Sequence, residues 1–194
     1  LYETDEPTFR SELKTFFDAF PEGSVWANLR DGLGYDMVFF AQLGPLRIDL
    51  DKVEAKYSAP EHEPVRQSLR DIGVNNLFDL FSTYTGNARD MYPWVKDAEP
   101  NTDGDLKLSY LAGWGINATL DDYLYRQMLK YRKTPTEVFS GNPEKVAALL
   151  NALISLVLNV DNTAVLKPLT CVIDRLLTAC VVRAAKDALF KALI

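Results

Sequence analysis

The sequence predicts a mixed α/β fold: one amphipathic helix, an antiparallel β-hairpin, then a mostly helical remainder. Three observations carry that prediction. Phe9, Leu13, Phe16, Phe17 and Phe20 fall at i, i+4, i+7, i+8 and i+11, one apolar face of a helix. Two short apolar runs, around Val25 and around Val38, flank turn chemistry at Asp31-Gly32-Leu33-Gly34. Beyond Gly44-Pro45, capping residues, prolines and glycines recur at the spacing of short helices. Length and composition agree. With 194 residues, 47% hydrophobic and 25% charged, the chain has the balance of one folded, soluble domain with a core that needs no staples.

The elements follow in order. Asp5 is placed to cap the first helix, and Pro7 stands in its first turn, where a missing N–H costs nothing. Pro21 and Gly23 end it. Its aromatic rings need a large partner surface, and a sheet supplies one. Ser24 to Asn28 reads as a first strand and Tyr35 to Gln42 as a second, whose near-continuous apolar centre predicts cover on both faces. The Gly32-Leu33-Gly34 step also has the look of a phosphate loop. Such a loop leads from a strand into a helix, and this one leads into a strand, so a hairpin turn is the expectation.

After the hairpin, Asp49 caps a short helix to Tyr57. Pro60 to Asp71 is helical, with Val65, Leu69 and Ile72 on one side and Gly73 as its stop. Asn76 caps a helix from Leu77 to Tyr84, ended by Gly86. Ala88 to Lys96 is another helix, and Asp97 to Asp105 a polar loop. Leu106 to Leu111 alternates apolar and polar residues and reads as a strand, broken by Gly113 and Gly115. Leu120 to Tyr131 is helical, and Thr134-Pro135 and Asn142-Pro143 are both cap-then-proline helix starts. Past Asp161, apolar residues recur in two rows of i+4 spacing, one through Leu169 and the other through Val172, Leu176 and Cys180. A strict spacing of four drifts against 3.6 residues per turn, so the stripe spirals. That helix either threads between several elements or offers a surface to a partner.

Charge and residue counts exclude several function classes. Asp plus Glu number 27 against 21 Lys plus Arg, a net charge of −6. No nucleic-acid partner is expected, because phosphate neutralisation needs clustered cations. One His rules out a His-rich metal centre, and two Cys are too few for a disulfide framework or a four-Cys zinc site. Cys171 and Cys180 lie on opposite sides of one predicted helix and read as free thiols in a reducing compartment. The longest apolar stretch, Val146 to Leu158, is interrupted by Asn151 and Ser155 and is shorter than the roughly 20 residues of a membrane helix. No basic, apolar leader stands before Leu1-Tyr2-Glu3, which runs at once into a helix signal, as if the chain starts inside a longer protein.

Polar residues that could carry chemistry are few. His62, between Glu61 and Glu63, reads as a solvated histidine. Asp121-Asp122 reads as helix-dipole complementation at an N-terminus, and Asp36 as a strand-start acid bonded to backbone. Asn101-Thr102-Asp103 is the most compact hydrogen-bonding constellation, and all three types are also ordinary turn formers. These residues do not compose a self-contained catalytic set.

A wider pattern is present. Leu1-Tyr2-Glu3 and the aromatic helix are followed by Phe20-Pro21-Glu22-Gly23-Ser24-Val25-Trp26 and Gly34-Tyr35-Asp36-Met37-Val38. Ser68-Leu69-Arg70-Asp71-Ile72-Gly73, Asp79-Leu80 to Tyr84-Thr85-Gly86, and Asp97-Ala98-Glu99-Pro100-Asn101-Thr102-Asp103 with Leu108 and Tyr110 continue it. In this order, over roughly residues 1 to 140, the chain resembles the C-terminal half of spermidine synthase-like proteins, closest to the bacterial variety fused behind a membrane-embedded part. The resemblance implies the C-terminal part of a Rossmann-like methyltransferase fold over 1–112, a helix plus antiparallel hairpin, with a helical extension over 113–194.

The function so implied is transfer of an aminopropyl group from decarboxylated S-adenosylmethionine to a polyamine. The family's glycine-rich nucleotide loop, ribose-binding acid and catalytic Asp have no counterpart here. The chain alone is therefore expected to be inactive and to hold no cofactor, with decarboxylated S-adenosylmethionine the family's cosubstrate. Asn101, Thr102, Asp103 and Tyr110 are the implied substrate wall. Asp103 would attract a cationic amine and Tyr110 would offer its ring to an ammonium. Gly104-Asp105 stands where the family has an acid and then a proline. The resemblance implies a cytoplasmic domain whose parent is membrane-attached. A different class of function is a non-catalytic module that self-associates through Leu169, Val172, Leu176 and Cys180.

Overall fold

The computed structural model describes residues 4–30, 33–115 and 120–160. In chain order the elements are α1 (Glu6–Ala19), β1 (Ser24–Arg30), β2 (Leu33–Phe40), β3 (Ile48–Asp49), α2 (Leu50–Ser58), a 3-10 turn (Pro60–His62), α3 (Glu63–Asp71) and α4 (Leu77–Ser82). They continue with β4 (Tyr84–Asn87), α5 (Ala88–Val95), α6 (Lys107–Gly115), α7 (Asp121–Tyr131), β5 (Phe139–Ser140) and α8 (Pro143–Val160). The fold is mixed helix and strand, with a small antiparallel sheet. The described residues form two compact units, each from two stretches of chain: 4–46 with 83–133, and 47–82 with 134–160. A boundary between 112 and 113 falls inside α6.

In the first unit, α1 starts as its sequence dictates. Asp5 Oδ1 accepts the Thr8 N–H at 2.8 Å, and Pro7 occupies the first turn. Its rings meet the sheet: Phe16 and Phe39 have centroids 5.0 Å apart, Phe9 and Phe39 6.4 Å. The sheet order is β2-β1-β4, and both pairings are antiparallel. β1 pairs with β2 from Ser24↔Phe40 to Arg30↔Leu33. Asn28 faces Asp36 and Leu29 faces Gly34, so Tyr35 is the extra residue of a bulge. The predicted hairpin is therefore present, with its second strand starting and ending two residues early; Asp31 and Gly32 lie outside the described residues.

Alternation puts Val25 and Ala27, both buried, on the side of Met37 and Phe39. Trp26 lies on the other side with Val38 and Phe40, which are 45% and 53% exposed. The expectation that β2 is covered on both faces is corrected: its apolar run continues onto an open face. From α5 and α7, Met91, Trp94, Val95, Leu124 and Met128 join Phe9, Leu13, Phe17 and Val25 in one buried cluster. Each such side chain contributes about 1.5–3 kcal/mol relative to exposure.

Two expectations fail here. The helix predicted to Tyr84 stops at Ser82, and Tyr84–Asn87 is a strand instead. Pairing with β1 wins: Trp26 faces Tyr84, and the Ala27 N–H donates to the Thr83 carbonyl at 2.8 Å. Leu106 to Leu111, read as a strand, enters helix α6, and Gly113 and Gly115 lie within it. Its alternation has no in-and-out meaning, since Leu106 and Tyr110 are both exposed. The Asn101 side chain accepts the Leu108 N–H at 3.0 Å and caps the start of the helix.

In the second unit, β3 and β5 form a two-residue parallel pair, Ile48↔Phe139 and Asp49↔Ser140. Asp49 caps α2 as predicted, accepting from the N–H groups of Asp51 and Lys52. α3 ends at Gly73, whose φ is +85°. Val65 and Ile72 are exposed, and Arg66 is the buried residue of that helix. Arg66 donates to the carbonyls of Tyr57 and Ala59 and to Glu63. Asn76 Oδ1 caps α4 through the Asp79 N–H, and Asp79 Oδ2 returns a bond to the Asn75 N–H, a near relative of the capping box. Thr134-Pro135 does not open a helix. Its turn closes through Val138 N–H to Pro135 O, and β5 follows. Asn142 does cap a helix, α8, through Glu144 and Lys145.

Candidate functional site

The loop after α5 is tied down by α1. The Ser11 hydroxyl donates to the Glu99 carbonyl at 2.7 Å, and the Asn101 N–H donates to Thr15 Oγ1 at 2.7 Å. Thr102 and Asp105 exchange backbone hydrogen bonds of 3.2 and 3.0 Å and close a tight turn over Asp103-Gly104. The structure thus brings Asn101, Thr102 and Asp103 together, with unlike roles. Asn101 is half-buried and spends its carbonyl oxygen on α6. Thr102 and Asp103 are exposed, and neither side chain has a protein hydrogen-bond partner among the described residues. Tyr110, 76% exposed on α6, makes no hydrogen bond or ring contact among them. The neighbouring charges are mixed: Lys107 pairs with Glu99 and reaches Asp105 at 3.6 Å.

A second polar group, in the same unit, is buried. Asn87 caps α5 through the Asp90 N–H at 2.9 Å, and its amide donates to the Tyr84 hydroxyl at 3.2 Å. Arg132 Nη1 donates to the Tyr84 carbonyl at 2.7 Å, and the Lys133 N–H reaches Asp90 Oδ2 at 3.3 Å. Burial pushes the Asp90 carboxyl above the usual aspartate range, pushes the Tyr84 hydroxyl up and the Tyr125 hydroxyl up to about 12, and lowers Arg132. Its members hold one another, and the group serves to fix the β4–α5 corner.

The second unit contains a cleft of about 540 Å³, its open mouth included. Leu50, Phe81 and Leu149 are its buried apolar lining, with Leu77 and Phe78 half-buried beside them. Glu54, Tyr57, Ser58, Asn76 and Lys145 supply its polar groups. Lys145 Nζ donates to Asp51 Oδ1 at 3.0 Å and to Glu54 Oε2, and these acceptors raise its pKa. Asp51 Oδ2 also accepts the Asn142 N–H at 2.6 Å. Sequence reasoning missed this site. Glu54 and Lys145 stand 91 residues apart, and no local pattern announces such a pair.

The remaining candidates fall on separate elements. Asp122 takes both its oxygens to Arg126 Nε, at 2.8 and 2.9 Å. Asp36 sits opposite Asn28 in the hairpin. His62 ends the 3-10 turn, half-buried. Cys171, Cys180 and the stripe through Leu169, Val172 and Leu176 lie outside the described residues. Among the described residues, no group of three or more His, Cys, Asp or Glu could hold a metal ion, and no helix is long and apolar enough to cross a membrane. Compared with protein-family models, curated proteins and solved structures, the chain matches none.

Proposed function

We propose that the chain is the C-terminal part of a spermidine synthase-like aminopropyltransferase, on a Rossmann-like methyltransferase fold, working in the cytoplasm. The observation that carries this reading is the edge of the sheet. Among the described residues β2 hydrogen-bonds on one side only, to β1, while the far side of β1 is already taken by β4. Leu33–Phe40 holds no Lys or Pro, two of the residues that natural edges use to refuse a further strand; its bulge at Tyr35 and its one charge, Asp36, lie toward its start, and Met37–Phe40 carries neither device. A sheet that continues past β2 accounts for both facts, and the family's sheet continues there. The order helix, strand, turn, strand supports the same reading.

In that protein the aminopropyl group passes from decarboxylated S-adenosylmethionine to a polyamine. The nucleotide-gripping residues belong to the part preceding this one. Asp103 and Tyr110, exposed and without a side-chain partner among the described residues, are two residues of this portion open to an amine. The test has two arms. Given decarboxylated S-adenosylmethionine and putrescine, the 194-residue chain is expected to form no spermidine. The product of the same gene extended upstream is expected to form it, and to contain a glycine-rich loop between a strand and a helix. Turnover by the chain alone, or an upstream sequence without that loop, overturns the proposal.

A further inference from the structure

We propose that the cleft of the second unit binds a small monoamine, an ammonium head on a single alkyl or aryl-alkyl body. The inference rests on the cleft alone and is independent of the transferase reading.

The body of the ligand follows from the lining. Leu50, Leu77, Phe78, Phe81 and Leu149 offer hydrocarbon and ring surface and no charge, so the ligand's inner end is apolar. The head follows from charge. Glu54 and Lys145 are the charged residues of the lining, and Asp51, not itself part of it, is a second carboxylate on Lys145. Lys145 is already shared by two carboxylates, so an incoming anion gains little from it and meets Glu54. An incoming ammonium has an acceptor waiting: Lys145 occupies Glu54 Oε2, and Oε1 has no protein donor among the described residues. Arg66, Lys52 and Lys56 do not line the cleft; Arg66 is held by Glu63 and two carbonyls, and Lys52 pairs with Asp49. A diamine fits worse than a monoamine, because its second charge would be pressed against Leu and Phe.

Titration calorimetry on the 194-residue chain tests this with four probes: hexylamine, hexan-1-ol, hexanoate and putrescine. Hexylamine is expected to bind about tenfold more tightly than hexan-1-ol, the effect of one part-exposed charge-assisted hydrogen bond. Hexanoate and putrescine are expected to bind more weakly than hexan-1-ol. E54Q is expected to bring hexylamine down to the level of hexan-1-ol while leaving hexan-1-ol unchanged, with an unaltered circular dichroism melt as the control for folding. Hexanoate or putrescine binding as tightly as hexylamine overturns the assignment, as does no hexylamine binding at millimolar concentration. Failure of spermidine formation in the extended protein would leave these outcomes untouched, so the two proposals stand or fall separately.

Discussion

At the scale of single residues, the turn at 101–105 separates what holds the fold from what is free to bind. Asn101 joins two elements: its backbone N–H donates to Thr15 Oγ1 on α1, and its side-chain Oδ1 accepts from the Leu108 N–H at the start of α6. Thr102 and Asp103 hold nothing with their side chains. Asn101→Ala is expected to cost about 1–2 kcal/mol in urea unfolding, whereas Thr102→Ala and Asp103→Ala should stay within about 0.5 kcal/mol. Equal losses in all three would show that the turn is held by more than its backbone and Asn101. Two glycines make a sharper contrast. Gly73 and Gly141 both have positive φ, +85° and +119°. A Cβ on Gly73 meets nothing within 4 Å, but one on Gly141 would lie 2.8 Å from Asp51 Oδ2. That oxygen is already bonded to the Asn142 N–H. Gly73→Ala therefore costs backbone strain alone, about 1 kcal/mol, and Gly141→Ala about 2–3 kcal/mol, because the Asp51 latch must also shift. Thermal melts of the two variants, read side by side, check the order.

At the scale of elements, helix beginnings are decided locally and are therefore legible. Asp5, Asp49, Asn76 and Asn142 each cap the helix their sequence position announces. Asp5→Ala removes the acceptor of the Thr8 N–H and is expected to lower the urea midpoint by about 1 kcal/mol of stability, with Asp5→Asn restoring most of it. A midpoint that Asn does not rescue would assign the loss to something other than the cap. Elements defined by a distant partner were not legible. Tyr84–Asn87 is a strand because β1, some sixty residues earlier, presents an open ladder; alone its four residues look like the end of a helix. Phe139–Ser140 is a strand because Ile48 and Asp49 lie beside it, and no two-residue pattern announces that. At Leu106 to Leu111 a six-residue alternation suggests a strand, and one side-chain cap from Asn101 favours the helix instead. The candidate sites divide in the same way. The 101–103 turn was visible from its residue types, and the Glu54–Lys145 cleft was not, because three helices far apart in sequence assemble it.

At the scale of the whole molecule, two sets of carboxylates pull stability in opposite directions along the pH axis. Asp79 and Asp90 are buried, and burial raises both above the ordinary aspartate value, roughly 3.9. Between that value and the raised one, the folded chain keeps protons that the unfolded chain has already released. Their contribution to stability therefore falls as pH rises through this window. Asp49 and Glu63 have the reverse sign. Hydrogen bonds, first from the Lys52 N–H and from Arg70 respectively, hold them below their usual values. Their contribution is complete above the ordinary carboxylate range and disappears as pH falls below it, though both lie at the surface, where solvent screens them. The net charge of −6 at pH 7 adds self-repulsion that fades toward the pI near 4.9. The urea midpoint is therefore expected to rise as pH is lowered from about 7 toward 5 and to fall below about 4. Asp90→Asn should flatten the upper limb, since an amide oxygen can still accept the Lys133 N–H while nothing remains to ionise. Asp79→Asn should flatten it in the same way, with its Oδ1 facing the Asn75 N–H. A midpoint that climbs steadily from pH 5 to 7 would mean that these two buried acids are ionised more readily in the folded chain than in the unfolded one, which their surroundings oppose.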